Sequence, residues 1–252
     1  MNQILAYLQR IGYKGTPIPD FTTLHKLQRL HLQAIPYENL DIMRGLPIYL
    51  EIGDIYEKIV LRGRGGYCFE LNALFAWLLR SLGFGVTDYM ARLLRDETEI
   101  PMRRHRVLKV TCRQGEYLCD VGVGWVVPRK PLPLILGKAS EQDGTKYILE
   151  KEDFLGTVLY EWRHGYWRKL YAFTDEPQLE KDFTAISYYC ENHPDSIFKT
   201  QDMVHIFTED GRKSVAGREV RLFSSGGVNV LRPATEAAYH ELLHIHFGIR
   251  LH

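Results

Sequence analysis

The sequence predicts an α+β protein in three segments: a helical one, a β-rich one and a mixed α/β one. In the first segment apolar residues recur at helical spacing, most clearly over Phe69–Leu82. From Phe84 to about Tyr171 the pattern changes to short β-rich runs that are broken by turns. After Gln178, strand-like and helical patterns are mixed. We therefore expect three parts with the boundaries 1–83, 84–178 and 179–252.

Each helix of the first segment has a start or a stop signal. The first ends in the Gly- and Pro-rich stretch GYKGTPIPD. Asp20 is placed to cap the second helix, Pro36 ends it, and Asp54 is placed to cap the third. Gly83 closes the fourth. The expected buried faces carry Ile4, Leu5, Leu8 and Ile11; Leu24, Leu27, Leu30 and Ala34; Ile55, Ile59 and Val60; and Leu71, Leu74, Phe75, Leu78, Leu79 and Leu82.

The clearest strand signal in the middle segment is a hairpin. The runs RVLKVTC and YLCDVGV flank RQGE, and a tight turn centred on Gln114 and Gly115 would join them. Further strands are expected in KYILEKED, FLGTVLYEWRH, MVHIFTEDGRKSVAG and EVRLF. The chain is expected to end in a helix over Thr235 to Phe247.

Composition argues against several classes of function. Of 252 residues, 45% are hydrophobic and 25% charged, and the formal net charge is +1, so neither nucleic acid nor a membrane surface is an expected partner. The N-terminus lacks a basic region followed by an apolar run, and no apolar stretch is long enough to span a bilayer. The four cysteines form no CxxC pair. We expect a cytoplasmic protein with reduced thiols.

Cys68 has the local sequence of a reactive thiol. In RGRGGYCFELN, three glycines precede it and the predicted helix follows directly. Glycines let the backbone turn tightly, and the unpaired N–H groups and dipole at a helix start favour a thiolate. The same N–H groups could bind an oxyanion. The simpler alternative is a buried core cysteine beside a glycine turn.

A nucleophilic cysteine needs a base, and the base needs an orienting group. His105 opens the strand RVLKVTC, Asp120 lies in YLCDVGV, and both point to one face of the hairpin. The predicted turn, however, places Lys109 opposite Asp120, which leaves the two side chains about 13 Å apart along the strand. Contact therefore requires a longer loop, a bulge or a different pairing. Otherwise His105 is a strand-end surface histidine and Asp120 a polar strand residue.

Two other motifs do not change this interpretation. GRGG has neither of the spacings, GxxxxGK[ST] and GxGxxG, that are typical of phosphate-binding loops. His240, Glu241 and His244 spell the zinc pattern HExxH on the predicted last helix. Only eight residues follow His244, and His246 is on the wrong side of the helix for a third ligand. We expect a packing helix with partly exposed histidines and no metal site.

Taken together, these segments resemble the arylamine N-acetyltransferase family. RGRGGYCFELN resembles its nucleophile motif, MRRHRVLKV its histidine motif and YLCDVGVG its aspartate motif. YLQRIGYKG and HLQAIPYENLDI resemble its N-terminal helical segment, and ENHPDSIF and HFGIRL its third domain. The resemblance covers nearly the whole chain.

The resemblance implies a helical bundle, an antiparallel β-barrel-like domain and an α/β lid around a core like that of cysteine proteases and transglutaminases. It implies ping-pong chemistry in which His105 takes the proton of Cys68, Asp120 orients the imidazolium, and the thiol pKa is lowered. The thiolate takes the acetyl group of acetyl-CoA and passes it to an arylamine, a hydrazine or a related amine. Acetyl-CoA is then a cosubstrate, with no bound cofactor and no metal, in a monomer or homodimer. Glu38 and Arg64 match family positions as a buried ion pair near the site.

The departures from the family concern the acceptor pocket. Val123 stands where the family usually has an aromatic residue, Trp125 follows it, and Arg104 stands in place of a common threonine. The expected substrate-binding residues are Tyr37, Tyr67 and Val123. A reshaped pocket would also suit an amide synthase of secondary metabolism with the same triad. Another Cys–His–Asp enzyme, such as a transglutaminase or thiol hydrolase, and a catalytically idle binding protein are the remaining alternatives.

Overall fold

The computed structural model describes residues 2–95, 97–124 and 128–251. The α-helices are α1 Gln3–Arg10, α2 Phe21–Ala34, α3 Leu40–Met43, α4 Ile52–Tyr56, α5 Cys68–Ser81, α6 Thr184–Asn192 and α7 Glu236–Phe247. A π-helical turn over Glu57–Leu61 continues α4, and 3-10 turns cover Glu180–Phe183 and Ile197–Lys199. The strands are β1 Tyr37–Glu38, β2 Gly85–Leu93, β3 His105–Cys112, β4 Gly115–Cys119, β5 Leu132–Pro133, β6 Ser140–Gln142, β7 Thr145–Glu152, β8 Gly156–Arg163, β9 Tyr166–Phe173, β10 Met203–Phe207, β11 Arg212–Ala216, β12 Glu219–Ser224 and β13 Gly227–Leu231.

The first helices follow the predicted signals with two corrections. Asp20 caps α2 as predicted, since its carboxylate accepts the backbone N–H three residues later at 2.8 Å. Leu5 was expected on the buried face of α1 but is 54% exposed, because the buried face is centred on Tyr7, Leu8 and Ile11. Helix α4 begins at Ile52, so Asp54 lies within its first turn instead of capping it. An acidic residue is favourable there because it faces the positive end of the helix dipole.

Helix α5 lies at the centre of the molecule, and every side chain from Cys68 to Ala76 is buried. It begins at Cys68, one residue earlier than predicted. Tyr67 precedes it in an extended conformation, and the Tyr67 backbone N–H donates to the Glu70 carboxylate at 3.1 Å. This contact satisfies a backbone donor just before the helix, and it fixes Cys68 in the first turn.

The middle segment folds into one antiparallel sheet in the order β5-β4-β3-β2-β9-β8-β7-β6. Its two edges approach each other, because the Gln142 side chain of β6 bonds both the N–H and the C=O of Lys130, two residues before β5. The sheet is therefore nearly closed, and the predicted barrel-like arrangement is confirmed.

The turn between β3 and β4 lies one residue earlier than predicted. Cys112 pairs with Gly115, so the two turn residues are Arg113 and Gln114. Gly115 is the first residue of β4 and has φ +138°, a conformation that favours glycine. The glycine is thus used to leave the turn and does not lie at its centre.

The corrected turn shifts every partner across the hairpin by two residues. Continued beyond Leu108 and Cys119, the register places Val107 opposite Asp120, where the predicted turn placed Lys109. His105 is then the diagonal neighbour of Asp120 on the same face of the sheet, within reach of long side chains. A different strand pairing was one of the three arrangements that would allow His105 to contact Asp120, and the structure has this pairing.

A second sheet pairs a short strand of the first segment with strands of the last segment. Strand β1 lies beside β10 in the order β1-β10-β11-β12-β13, and Tyr37 pairs with His205. Helix α7 packs on this sheet through Tyr239, Leu243 and Phe247. The sequence analysis did not identify β1, β13 or α6. The predicted boundaries after residues 83 and 178 stay predictions.

Within the described ranges, none of the helices combines the length and the apolar character needed to cross a bilayer.

Candidate active site

The structure brings the three predicted catalytic residues together where α5, β3 and β4 begin or end. Cys68 is the first residue of α5, His105 is the first residue of β3, and Asp120 directly follows β4. All three are buried, with exposed fractions of 2%, 0% and 1%. The corrected hairpin and the start of α5 therefore build one buried polar site.

Asp120 fixes the orientation of His105. The His105 Nε2 and the Asp120 Oδ2 are 2.7 Å apart. The other carboxylate oxygen of Asp120 accepts from the Asn72 side-chain amide at 3.0 Å and from the Gly122 backbone N–H at 2.8 Å. With Nε2–H donated to the carboxylate, Nδ1 is the basic nitrogen of a neutral imidazole. It is buried and has no hydrogen-bond partner among the described residues, so it is available to accept a proton.

The environment of the Cys68 sulfur acts on its pKa in both directions. Burial raises the pKa of the thiol well above its usual value, and the charge of the Asp120 carboxylate raises it further. The backbone N–H groups of Arg106 and Phe69 donate to the sulfur and lower the pKa. Burial is the largest of these effects.

This direction differs from the low thiol pKa that the family resemblance implies. The Cys68 thiol donates its hydrogen bond to the Arg104 carbonyl at 3.7 Å, which places the sulfur beside the residue that precedes His105. A lowered pKa requires a positive charge on His105, and that charge arises when the imidazole takes the proton.

Asn72 links the helix to the hairpin and was missed by the sequence analysis. Its side-chain amide donates to the Arg106 carbonyl at 2.7 Å as well as to Asp120, and its side-chain oxygen accepts from the Val121 N–H at 3.0 Å. Asn72 lies four positions after Cys68, on the same face of α5. A polar residue at that helical spacing from Cys68 is the signal that could have identified it.

Gly122 is a second residue that the sequence analysis missed. A Cβ atom at this position would lie 2.7 Å from the Cys68 Cα and 2.7 Å from the Asn72 side-chain nitrogen. A glycine is therefore required where the chain beyond Asp120 crosses the start of α5.

The predicted Glu38–Arg64 ion pair is present beneath the glycine-rich turn. The Arg64 guanidinium donates to the two carboxylate oxygens of Glu38 at 2.8 and 2.9 Å, and the Glu38 side chain is 0% exposed. Asp41 receives Arg64 at 2.7 Å and Lys58 at 2.8 Å, and Lys58 also bonds Glu70 at 2.7 Å. The network joins β1, α3 and the π-helical turn after α4 to the start of α5, and so positions Cys68 without contacting it.

Two of the predicted substrate-binding residues lie beside the site. Tyr37 is half-buried and packs in the same cluster as Cys68, and its ring faces the Gly124 backbone. Val123 is half-buried between two hydrophobic clusters. Their contact with substrate stays a prediction. Trp125, which was named with Val123 among the departures from the family, lies outside the described residues.

Tyr67, the third predicted substrate-binding residue, is packed in the core. Its side chain is 0% exposed, its ring meets Phe69 and Phe198 edge-on, and its hydroxyl is hydrogen-bonded to Ser187. These contacts join α5 to α6 and give Tyr67 a packing role. Any contact with substrate stays a prediction.

The HExxH histidines of α7 have partners of their own. His240 lies 3.0 Å from the Glu236 carboxylate, and the Arg250 guanidinium lies 3.2 Å from His244. In the ranges that the structure describes, no three His, Cys, Asp or Glu side chains are grouped to hold a metal ion.

Known proteins with similar sequences share one activity in their names. A family model described as N-acetyltransferase matches residues 20–252. An arylamine N-acetyltransferase of Mycobacterium tuberculosis is 35% identical over 254 aligned residues, which cover 98% of this chain and 89% of that protein. One from Mycolicibacterium smegmatis is 36% identical over 252 residues, which cover 98% and 91%.

Solved structures of similar proteins superimpose over nearly the whole chain. The arylamine N-acetyltransferase of M. tuberculosis has a TM-score of 0.90 at 35% identity and covers 98% of this chain and 93% of its own. The Mycobacterium marinum enzyme in complex with CoA has a TM-score of 0.89 at 33% identity, with 98% and 92% covered. The Salmonella typhimurium enzyme has a TM-score of 0.93 at 27% identity, with 99% and 92% covered.

Proposed function

We propose, since this chain belongs to the arylamine N-acetyltransferase family, that it transfers the acetyl group of acetyl-CoA to an arylamine, a hydrazine or a related amine through Cys68. One observation carries the proposal. The first residue of α5 is a cysteine whose thiol meets the residue before His105, and His105 is held by Asp120 at 2.7 Å with its second nitrogen unpaired among the described residues. A thiol beside an oriented base is the arrangement that nucleophilic acyl transfer needs.

In the first half-reaction, His105 Nδ1 takes the thiol proton and the Cys68 thiolate attacks the thioester carbonyl of acetyl-CoA. The tetrahedral intermediate collapses with cleavage of the bond to the CoA sulfur, which leaves as a thiol with the proton from His105. Asp120 stabilises the transient imidazolium. The N–H groups of Arg106 and Phe69, which donate to the sulfur, help to hold the charge on the thiolate.

In the second half-reaction, the amine attacks the acetyl-cysteine and His105 takes its proton. The bond between the acetyl carbon and Cys68 breaks, the proton returns to the thiol, and the amide leaves. No metal is required by these two half-reactions. Acetyl-CoA enters as a cosubstrate, in keeping with the CoA complex of the M. marinum relative.

Steady-state kinetics test the two-step scheme. Initial rates measured against acetyl-CoA at several fixed concentrations of an arylamine are expected to give parallel double-reciprocal lines. The variant His105→Gln is expected to lower kcat/KM for acetyl-CoA by about 100- to 10,000-fold, because it removes the base. Intersecting lines would mean that both substrates bind before any chemistry, which would contradict transfer through Cys68.

A further inference from the structure

The side chain of Arg104 is a cation placed one residue away from the proposed base. Its carbonyl accepts the Cys68 thiol at 3.7 Å, so its backbone belongs to the wall of the site. Its side chain is only 14% exposed. A guanidinium keeps its charge at every relevant pH, and burying it is costly unless acidic or carbonyl groups surround it.

Arg104 is only partly satisfied by the protein. One terminal nitrogen donates to the Glu97 carboxylate at 3.1 Å. The Nε atom is buried and has no hydrogen-bond partner in the part of the chain that the structure describes. An arginine has five donors arranged for a planar, two-pronged acceptor. A single contact to Glu97, whose side chain is 39% exposed, leaves that arrangement incomplete.

The charge of Arg104 acts on residues that pack beside Cys68. Burial raises the pKa of the Tyr37 hydroxyl and of the Cys190 thiol, and in both cases the charge of Arg104 opposes the rise. Tyr37 and Cys190 pack in the same hydrophobic cluster as Cys68. The guanidinium therefore lies close enough to these two neighbours of Cys68 to act on their pKa.

We propose that Arg104 binds a carboxylate group of the small molecule that reacts at Cys68, either on the acceptor amine or on the acyl group. This inference rests on the proposed function. The carboxylate would take the place of Glu97 and accept the Nε–H and a terminal N–H of the guanidinium as a bidentate pair. Glu97 then serves as an internal substitute that satisfies part of Arg104 while the site is empty.

Arg103 supplies a matched control. It directly precedes Arg104, its side chain is 31% exposed, and its partner is the Glu176 carboxylate at 3.6 Å. Arg103→Met removes the same charge from the neighbouring position, away from the thiol. Arg104→Met removes the charge but keeps an unbranched side chain, and Arg104→Lys keeps the charge but loses the two-pronged geometry.

The experiment compares kcat/KM within two pairs of substrates. For the acceptor, 4-aminobenzoate is compared with its uncharged amide, 4-aminobenzamide; for the donor, succinyl-CoA is compared with acetyl-CoA. Arg104→Met is expected to lower the ratio of kcat/KM for the charged substrate to kcat/KM for the uncharged one in one pair by about 10- to 100-fold. This change corresponds to the loss of one charged hydrogen bond. The ratio for Arg104→Lys is expected to lie between those of wild type and Arg104→Met. The ratio for Arg103→Met is expected to match wild type. The affected pair identifies the carrier of the carboxylate.

Two results would overturn the inference. Ratios that stay within twofold of wild type in both pairs, or a uniform loss for all four substrates, would mean that Arg104 recognises no carboxylate. A uniform loss counts against the inference only if thermal unfolding shows that Arg104→Met is folded. If Arg104→Met is misfolded, the substrate ratios of Arg104→Lys are used in its place. Failure of the proposed function is distinct, because the wild type would then form no acetyl-enzyme from acetyl-CoA.

Discussion

At the scale of single residues, the closest packing in the site is between the chain after Asp120 and the start of α5. Gly122 permits it, since any Cβ there would overlap the Cys68 backbone and the Asn72 side chain at 2.7 Å. Both neighbours are fixed, one by the helix and the other by hydrogen bonds. The loop would have to move away from the thiol to accept a methyl group.

Gly122→Ala is therefore expected to lower the free energy of unfolding by about 1–3 kcal/mol through overpacking. It is also expected to lower kcat/KM by about 100-fold, because Asp120 moves with the loop. Urea unfolding and steady-state rates measure the two effects. Gly53→Ala is the control: it lies in α4 with nothing within 4 Å of its added Cβ, and it is expected to retain stability and activity. Wild-type activity in Gly122→Ala would refute the close approach.

Cys68 could be predicted because its signals are local, namely glycines before it and a helix after it. Asn72 has one local signal, its helical spacing from Cys68, but Gly122 has none. The partners of both residues are set where the end of β4 crosses α5, and no local motif encodes that crossing. The contact between His105 and Asp120 could not be predicted for a related reason, because it depends on the register of the hairpin.

At the scale of elements, a network holds β1, α3, the π-helical turn after α4 and α5 together; its members are Glu38, Asp41, Lys58, Arg64 and Glu70. Such a buried network stabilises only as long as each charge keeps its partner. It lies behind the glycine-rich turn and makes no contact with the Cys68 sulfur. Its effect on catalysis is therefore expected to follow from the position of α5.

Arg64→Ala leaves the fully buried Glu38 carboxylate without its main partner, so we expect the free energy of unfolding to fall by about 3–5 kcal/mol. The matched control is Arg62→Ala, two residues earlier, where the side chain is 61% exposed and the nearest carboxylate lies 3.8 Å away. That variant is expected to change stability by less than about 0.5 kcal/mol. An Arg64→Ala protein with wild-type stability and reduced turnover would instead assign Arg64 to the chemistry.

Most helices and several strands could be predicted because their periodicity spans many residues, as in α5 and α7. The hairpin turn was placed one residue too late because a glycine next to a polar residue is typical of a turn centre. In the structure Gly115 makes the exit from the turn, with φ +138°. A one-residue error in the turn moves every cross-strand partner by two positions, which is why His105 and Asp120 were predicted to lie apart.

At the scale of the whole molecule, two contacts between distant parts of the sequence complete the fold. Strand β1 contains only Tyr37 and Glu38, yet it forms the edge of a sheet whose other strands begin at Met203. The other contact closes the larger sheet, where Gln142 bridges to the backbone before β5. Neither a two-residue strand nor a side-chain bridge has a periodic signal. The overall assembly could therefore be predicted only from the family resemblance.

The site depends on both of these long-range contacts. The pairing of β1 with β10 holds Tyr37 beside the cleft, and the larger sheet carries His105 and Asp120 to the helix that begins at Cys68. The proposed acyl transfer through Cys68 would thus be a property of the assembled molecule.

The most direct test is the intact mass of the protein after mixing with acetyl-CoA in the absence of an acceptor. We expect one acetyl group on the wild type and on Cys112→Ala, which removes another free cysteine, and none on Cys68→Ala. Adding an arylamine is expected to discharge the adduct and restore the original mass. An acetyl group that persists in Cys68→Ala, or a folded wild type that gains none, would contradict transfer through Cys68.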